Sequence, residues 1–143
     1  MVDVTEVRRR LVHTIEAVRR DTAARRVAVD RASAEYETFV SQVAAPVFKH
    51  FAQALRAQGL LFQLQTPAGV LRLTSERSAD DFVEITLDVN RTPPAAVGQV
   101  SYRRGSRMQG TDQPIHADKP IDRLTEEDVL EFLLRAIVPF IER

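Results

Sequence analysis

The stretch from Asp3 to Gly59 has no internal glycine and a single proline, Pro46, and it constrains this chain more than any other feature. Its apolar residues run Val4, Val7, Leu11, Ile15, Val18, then Thr22, Val29, Tyr36, Val40, Val43, Val47 and Phe51. At 100° per residue these positions fall within about an 80° arc, the single buried stripe of an α-helix. The average step is close to 3.6 residues, which suits a nearly straight helix better than a tight heptad supercoil. Glu6 precedes Arg10, Glu16 precedes Arg20 and Asp21 precedes Arg25 by four residues, the favourable acid-first order; Arg26 with Asp30 and Arg31 with Glu35 add reversed pairs.

A continuous helix from Asp3 to Ala45 would run roughly 60 Å, far beyond the roughly 26 Å diameter of a 100-residue domain. Its first half must therefore project, fold back or meet a partner. The stripe is narrow, and Thr22, Arg25 and Ala32 thin its middle, so a two-helix contact is expected, most simply with another copy of the same chain. Pro46 cannot donate a helical hydrogen bond and disfavours helical geometry just before it, which predicts a kink or break near Ala44 and Ala45, with Pro46 in the first turn of a second helix. Val47, Phe48, Phe51, Ala54 and Leu55 give that second helix a broad face for a sheet, and Gly59 ends it.

Beyond Gly59 the period changes. Leu60 to Thr66 and Val70 to Glu76 are short extended runs on either side of the turn signal Pro67-Ala68-Gly69. From Phe82 to Asn90, Val83, Ile85, Leu87 and Val89 alternate with Glu84, Thr86 and Asp88, which predicts one buried and one wet face. Arg91-Thr92-Pro93-Pro94 interrupts the pattern, Val97 to Arg103 resumes it, and after a turn at Arg104-Gly105-Ser106 a short strand is expected from Arg107 to Gly110. Thr111 to Arg123, polar and carrying Pro114 and Pro120, reads as loop. Thr125 with Asp128 forms an approximate capping box for a last helix, with Val129, Leu130, Leu133, Leu134, Ile137, Val138 and Ile141 as its apolar face and Pro139 in its final turn. The fold class is α+β: a long N-terminal helix with a kink or break near Pro46, an antiparallel meander of four to five strands, and a C-terminal helix packed on the sheet. Residues 1–45 are expected to form an amphipathic arm and residues 46–143 a compact domain.

Composition narrows the chemistry. The absence of cysteine removes disulfides, thiolate metal sites and cysteine nucleophiles. No apolar run is long enough to span a membrane and the N-terminus lacks a signal-peptide core, so a cytoplasmic protein is expected. A formal net charge of zero argues against non-specific attraction to nucleic acid or anionic lipid. Phosphate-binding glycine loops, HExxH and GxSxG are missing. Asp112, His116, Asp118 and Asp122 are of cation-ligand type within one stretch, but their spacing matches no binding motif and a solvated loop is expected. His13 and His50 read as ordinary surface or packing residues. Arg103, Arg104 and Arg107 beside Tyr102 form a basic hairpin tip that could touch phosphate, although alternation places Tyr102 with Val100 on the buried face. The sequence thus points to a non-catalytic interaction protein, without cofactor or metal, whose Val4, Val7, Leu11, Ile15 and Val18 bind a second copy or another protein. The alternatives are a small-molecule or enzymatic site between sheet and helices, and nucleic-acid contact through the arginine hairpin.

Overall fold

The computed structural model describes residues 1–105 and 107–142. Helix α1 spans Val4–Phe39, a π-helical turn follows over Val40–Ala44, and α2 continues over Ala45–Ala57. The side chain of Asp3 caps the start, accepting from the Glu6 N–H at 2.8 Å. The expected interruption at Pro46 takes the form of that π turn, in which the Ala45 N–H reaches back five residues to the Val40 carbonyl. A wider turn moves the carbonyls away from the pyrrolidine ring and leaves none dependent on the N–H that Pro46 lacks.

The π turn also corrects the apolar stripe. One extra residue in a turn sets every later side chain back by about 100°. The seam therefore moves on by one: Ala44 and Phe48 are fully buried, whereas Val43, Val47 and Phe51, which an unbroken helix would centre on the core, are only half-buried. Gly59, at φ 81°, ends α2, and the Leu60 N–H returns to the Leu55 carbonyl at 2.9 Å.

Five antiparallel strands follow in the order β1-β2-β3-β4-β5: β1 Phe62–Gln65, β2 Leu71–Ser75, β3 Phe82–Asp88, β4 Ala95–Arg104 and β5 Arg107–Pro114. Gly69, at φ 72°, turns β1 into β2, with the Val70 N–H on the Pro67 carbonyl at 2.7 Å. Several strand boundaries differ from expectation. Strand β3 ends at Asp88, leaving Val89 in a turn and exposed. Strand β5 continues through Thr111–Pro114, a segment read from its polarity as loop, because an edge strand beside β4 needs only backbone pairing. The turn expected over Arg104-Gly105-Ser106 falls partly on Ser106, outside the described residues.

Both helical layers lie on one face of the sheet. Val83 and Ile85 of β3, Leu71 and Leu73 of β2 and Val100 of β4 pack there against Phe48, Phe132 and Leu133. At Gly98 an added Cβ would collide with the Phe132 ring, so glycine is what lets the helix approach β4. Helix α3, Glu126–Ala136, is capped by a reciprocal Thr125–Asp128 box, and a turn at Ile137 precedes the short helix α4, Val138–Glu142, which holds Pro139. Phe140 meets Phe62 of β1 edge-on at 5.3 Å between ring centroids and Tyr102 of β4 at 6.0 Å.

The C-terminal helix departs from its expected face. Val129, Phe132, Leu133, Ala136 and Ile137 are buried, while Leu130, Leu134, Val138 and Ile141 remain exposed. Its apolar residues cover too much of the helix circumference for one sheet to bury them all. The polar side of β3 is likewise not wholly wet. Glu84 is 5% exposed, paired with the Arg72 guanidinium at 2.6 Å, and that guanidinium lies over the Phe82 ring at 4.3 Å.

Candidate functional site

Every residue from Val4 to Ala28 is exposed except Glu6 and Ala17, which are half-buried. This part of α1 is about 37 Å long and makes no core contact; the first fully buried residues are Ala32, Tyr36 and Phe39. Tyr36 fixes the base of the arm to the sheet, its hydroxyl donating to the Ile85 carbonyl at 3.0 Å and approaching the Gly69 carbonyl at 3.3 Å. Burial, and secondarily the Glu84 carboxylate, push the Tyr36 phenol well above its ordinary pKa, so it remains a donor.

Along the projecting arm, Val4 is 73% exposed, Val7 52%, Leu11 55%, Ile15 38% and Val18 57%. Scattered apolar side chains are normal on a protein surface; these five lie in one row on one side of the helix. Around the row the charges are only partly organised. Arg9 first and Arg10 second hold the Glu6 carboxyl below its usual pKa, at 2.6 and 2.8 Å. Arg31–Glu35 also closes, at 3.1 Å. Among the described residues the expected pairs Glu16–Arg20, Asp21–Arg25 and Arg26–Asp30 do not reach ion-pair distance, as befits exposed pairs that contribute little. Val12 and Val27, absent from the predicted stripe, are exposed as well, at 46% and 67%.

The other sequence candidates are not brought together in the same way. Asp112 lies on β5 and pairs in register with Gln99, away from His116, Asp118 and Asp122 beyond the strand. Among the described residues no three histidine or carboxylate side chains converge as a cation site. Arg103 points to the sheet face opposite the helices, bound to Asp80 at 2.7 Å, whereas Arg104 and Arg107 face each other in register at the exposed end of the hairpin. The three arginines are thus divided between two sheet faces. Tyr102 is half-buried against Phe140, as alternation with Val100 predicts. His13 and His50 are exposed.

The space between sheet and helices is filled by Phe48, Phe132, Leu71, Leu73, Ile85 and Leu133, each below 2% exposure. Depressions lie at the periphery. One of about 410 Å³ borders the Thr92–Pro93 cis peptide and includes Arg91, His116 and Lys119. A second, of about 390 Å³, runs between α2 and α3 with Val47, Phe51 and Leu130 on its walls. Among the described residues no helix is long and apolar enough to cross a membrane. Comparison with protein-family models, with curated proteins and with solved structures finds no match, so the molecule's own geometry carries the functional reading.

Proposed function

We propose that this chain is a non-catalytic, cytoplasmic interaction protein whose N-terminal arm associates with the arm of a second copy. The observation that carries this reading is the solvent-exposed row Val4, Val7, Leu11, Ile15 and Val18 on the Val4 to Ala28 length of α1, which makes no core contact. Burying a valine, leucine or isoleucine side chain contributes about 1.5–3 kcal/mol, and the row leaves Val4, Val7, Leu11, Ile15 and Val18 in water. A helix of the same kind is the simplest surface that can cover a straight apolar row of this width.

Replacing Leu11 and Ile15 together by aspartate tests the proposal. The unaltered protein is expected to give the mass of an oligomer by light scattering during size exclusion, and the double variant that of a monomer. Its unfolding free energy from urea titration should stay within about 0.5 kcal/mol of the parent's, because neither side chain belongs to the core. An unaltered chain that is monomeric at every concentration, or a double variant that still assembles, overturns the reading.

A further inference from the structure

We infer that two copies pair through their arms in antiparallel orientation, with a two-fold axis at Leu11. The inference rests on the self-association proposed above and adds the geometry of the pair.

The first observation is which side of the helix the row occupies. On a helical wheel, the row Val4, Val7, Leu11, Ile15 and Val18 is centred only about 50° from Ala32, Tyr36 and Phe39, and those three are buried in the domain core. The apolar side of the arm and the domain therefore lie on the same side of one continuous helix. Two such helices facing each other in parallel would place both domains in the same gap, which packed helices leave only 8–10 Å wide. Antiparallel pairing removes the collision, because each domain then stands beyond the N-terminus of its partner's arm.

The second observation is the spacing. The steps from Val4 to Val18 are three, four, four and three residues, a palindrome about Leu11. In an isologous pair residue i of one copy meets residue j of the other, and j meets i. Centred on Leu11, Val4 meets Val18, Val7 meets Ile15 and Leu11 meets itself, so apolar residues face each other at every step of the row. Val12, 46% exposed, flanks the axis.

The third observation is room. Between Val18 and the half-buried Val29 lie about 16 Å of helix carrying Thr22, Arg25 and Arg26, where the apolar row lapses. Val4 of the second copy would stop opposite Val18, so this polar length clears the three residues ahead of it from the first copy's domain. The pair buries on the order of 1,000 Å² over both copies, at the lower limit for a specific interface, which makes association reversible and concentration-dependent.

The chain contains no cysteine, so single-cysteine variants report one contact each. Under mild oxidation or a short bis-maleimide, Leu11→Cys is expected to cross-link to itself. Val4→Cys and Val18→Cys should not do so alone, since each would sit about 21 Å from its own copy, but a mixture of the two should give a cross-linked dimer. All three cross-linking alone would establish parallel pairing and overturn the inference. A dimeric mass without any Leu11→Cys cross-link would overturn the pairing while leaving self-association intact. A monomer at all concentrations removes both. Should a cysteine variant fail to fold, X-ray scattering from the unaltered dimer decides. Antiparallel helices centred on Leu11 place their two Ala57 ends about 140 Å apart, whereas a parallel pair sets those ends side by side and is only about 80 Å long overall.

Discussion

The carboxylate of Asp128 receives the Lys119 ammonium at 2.9 and 3.1 Å and the Thr125 N–H at 2.9 Å, while the Thr125 hydroxyl accepts from the Asp128 N–H at 3.2 Å. Asp128 is only 6% exposed. Burial pushes its carboxyl pKa up, but Lys119 and the two Thr125 hydrogen bonds outweigh burial and hold it below the usual value. A carboxyl depressed in the folded state contributes stability that is present above its unfolded pKa of about 4 and is lost as the pH falls through the lower folded value. Asp128→Asn keeps an acceptor for the Thr125 N–H and removes the charge. It is expected to cost about 1–2 kcal/mol at pH 6, and that difference should shrink at pH 3. Urea titrations of both proteins at the two pH values measure it; an equal difference at both would show that the charge is not what stabilises this cap.

The π turn sets the register of α2. Because the turn holds one residue more than an α-helical turn, deleting an exposed residue within it, Gln42, converts Val4–Ala57 into one regular helix without rotating Phe48 or Leu55 out of the core. Regular geometry brings back the proline clash, so the Gln42 deletion alone should cost about 3 kcal/mol. Combined with Pro46→Ala it should unfold in urea within about 1 kcal/mol of the parent. Inserting an alanine after Gln42 instead turns α2 by a further 100° or so, and the cooperative transition should disappear. A combined deletion variant with no cooperative transition would refute this account. The same turn shows why the sequence was legible in some places and not in others. Proline announced a disturbance at Ala44–Ala45 and the period announced the helix, but nothing in the pattern says that a disturbance is absorbed by adding a residue, so Val47 and Phe51 were placed on the seam that Phe48 occupies. Strands β1 to β4 were readable from alternation and turn residues. Strand β5 was not, since its exposed side chains carry no alternation and only the pairing with β4 defines it. In α3 the capping box was legible from Thr125 and Asp128, whereas the inward side of an almost wholly apolar helix is decided by where the sheet lies.

At the scale of the whole molecule, one helix serves two environments: its C-terminal end packs on the sheet beside α3, and its N-terminal half stands in water. The length of α1 made a projecting arm foreseeable, and its exposed row was legible residue by residue. The direction that row faces relative to the domain was not, because it depends on Ala32, Tyr36 and Phe39 entering the core. A lone helix of about 25 residues has little to hold it beyond its hydrogen-bond ladder and its Asp3 cap, and isolated helices of modest length are marginal in water. If the arms pair as proposed, then on dilution below the dissociation constant far-UV circular dichroism is expected to lose up to roughly two-fifths of its helical signal, the arm's share of the helix, while the near-UV spectrum of the domain's tyrosines holds. Helical signal that is independent of concentration while the mass falls from dimer to monomer would show the arm to be rigid alone. Under the proposed self-association, coil-to-helix ordering of the arm and meeting a second chain are a single equilibrium, and protein concentration itself would set how much of this polypeptide is folded.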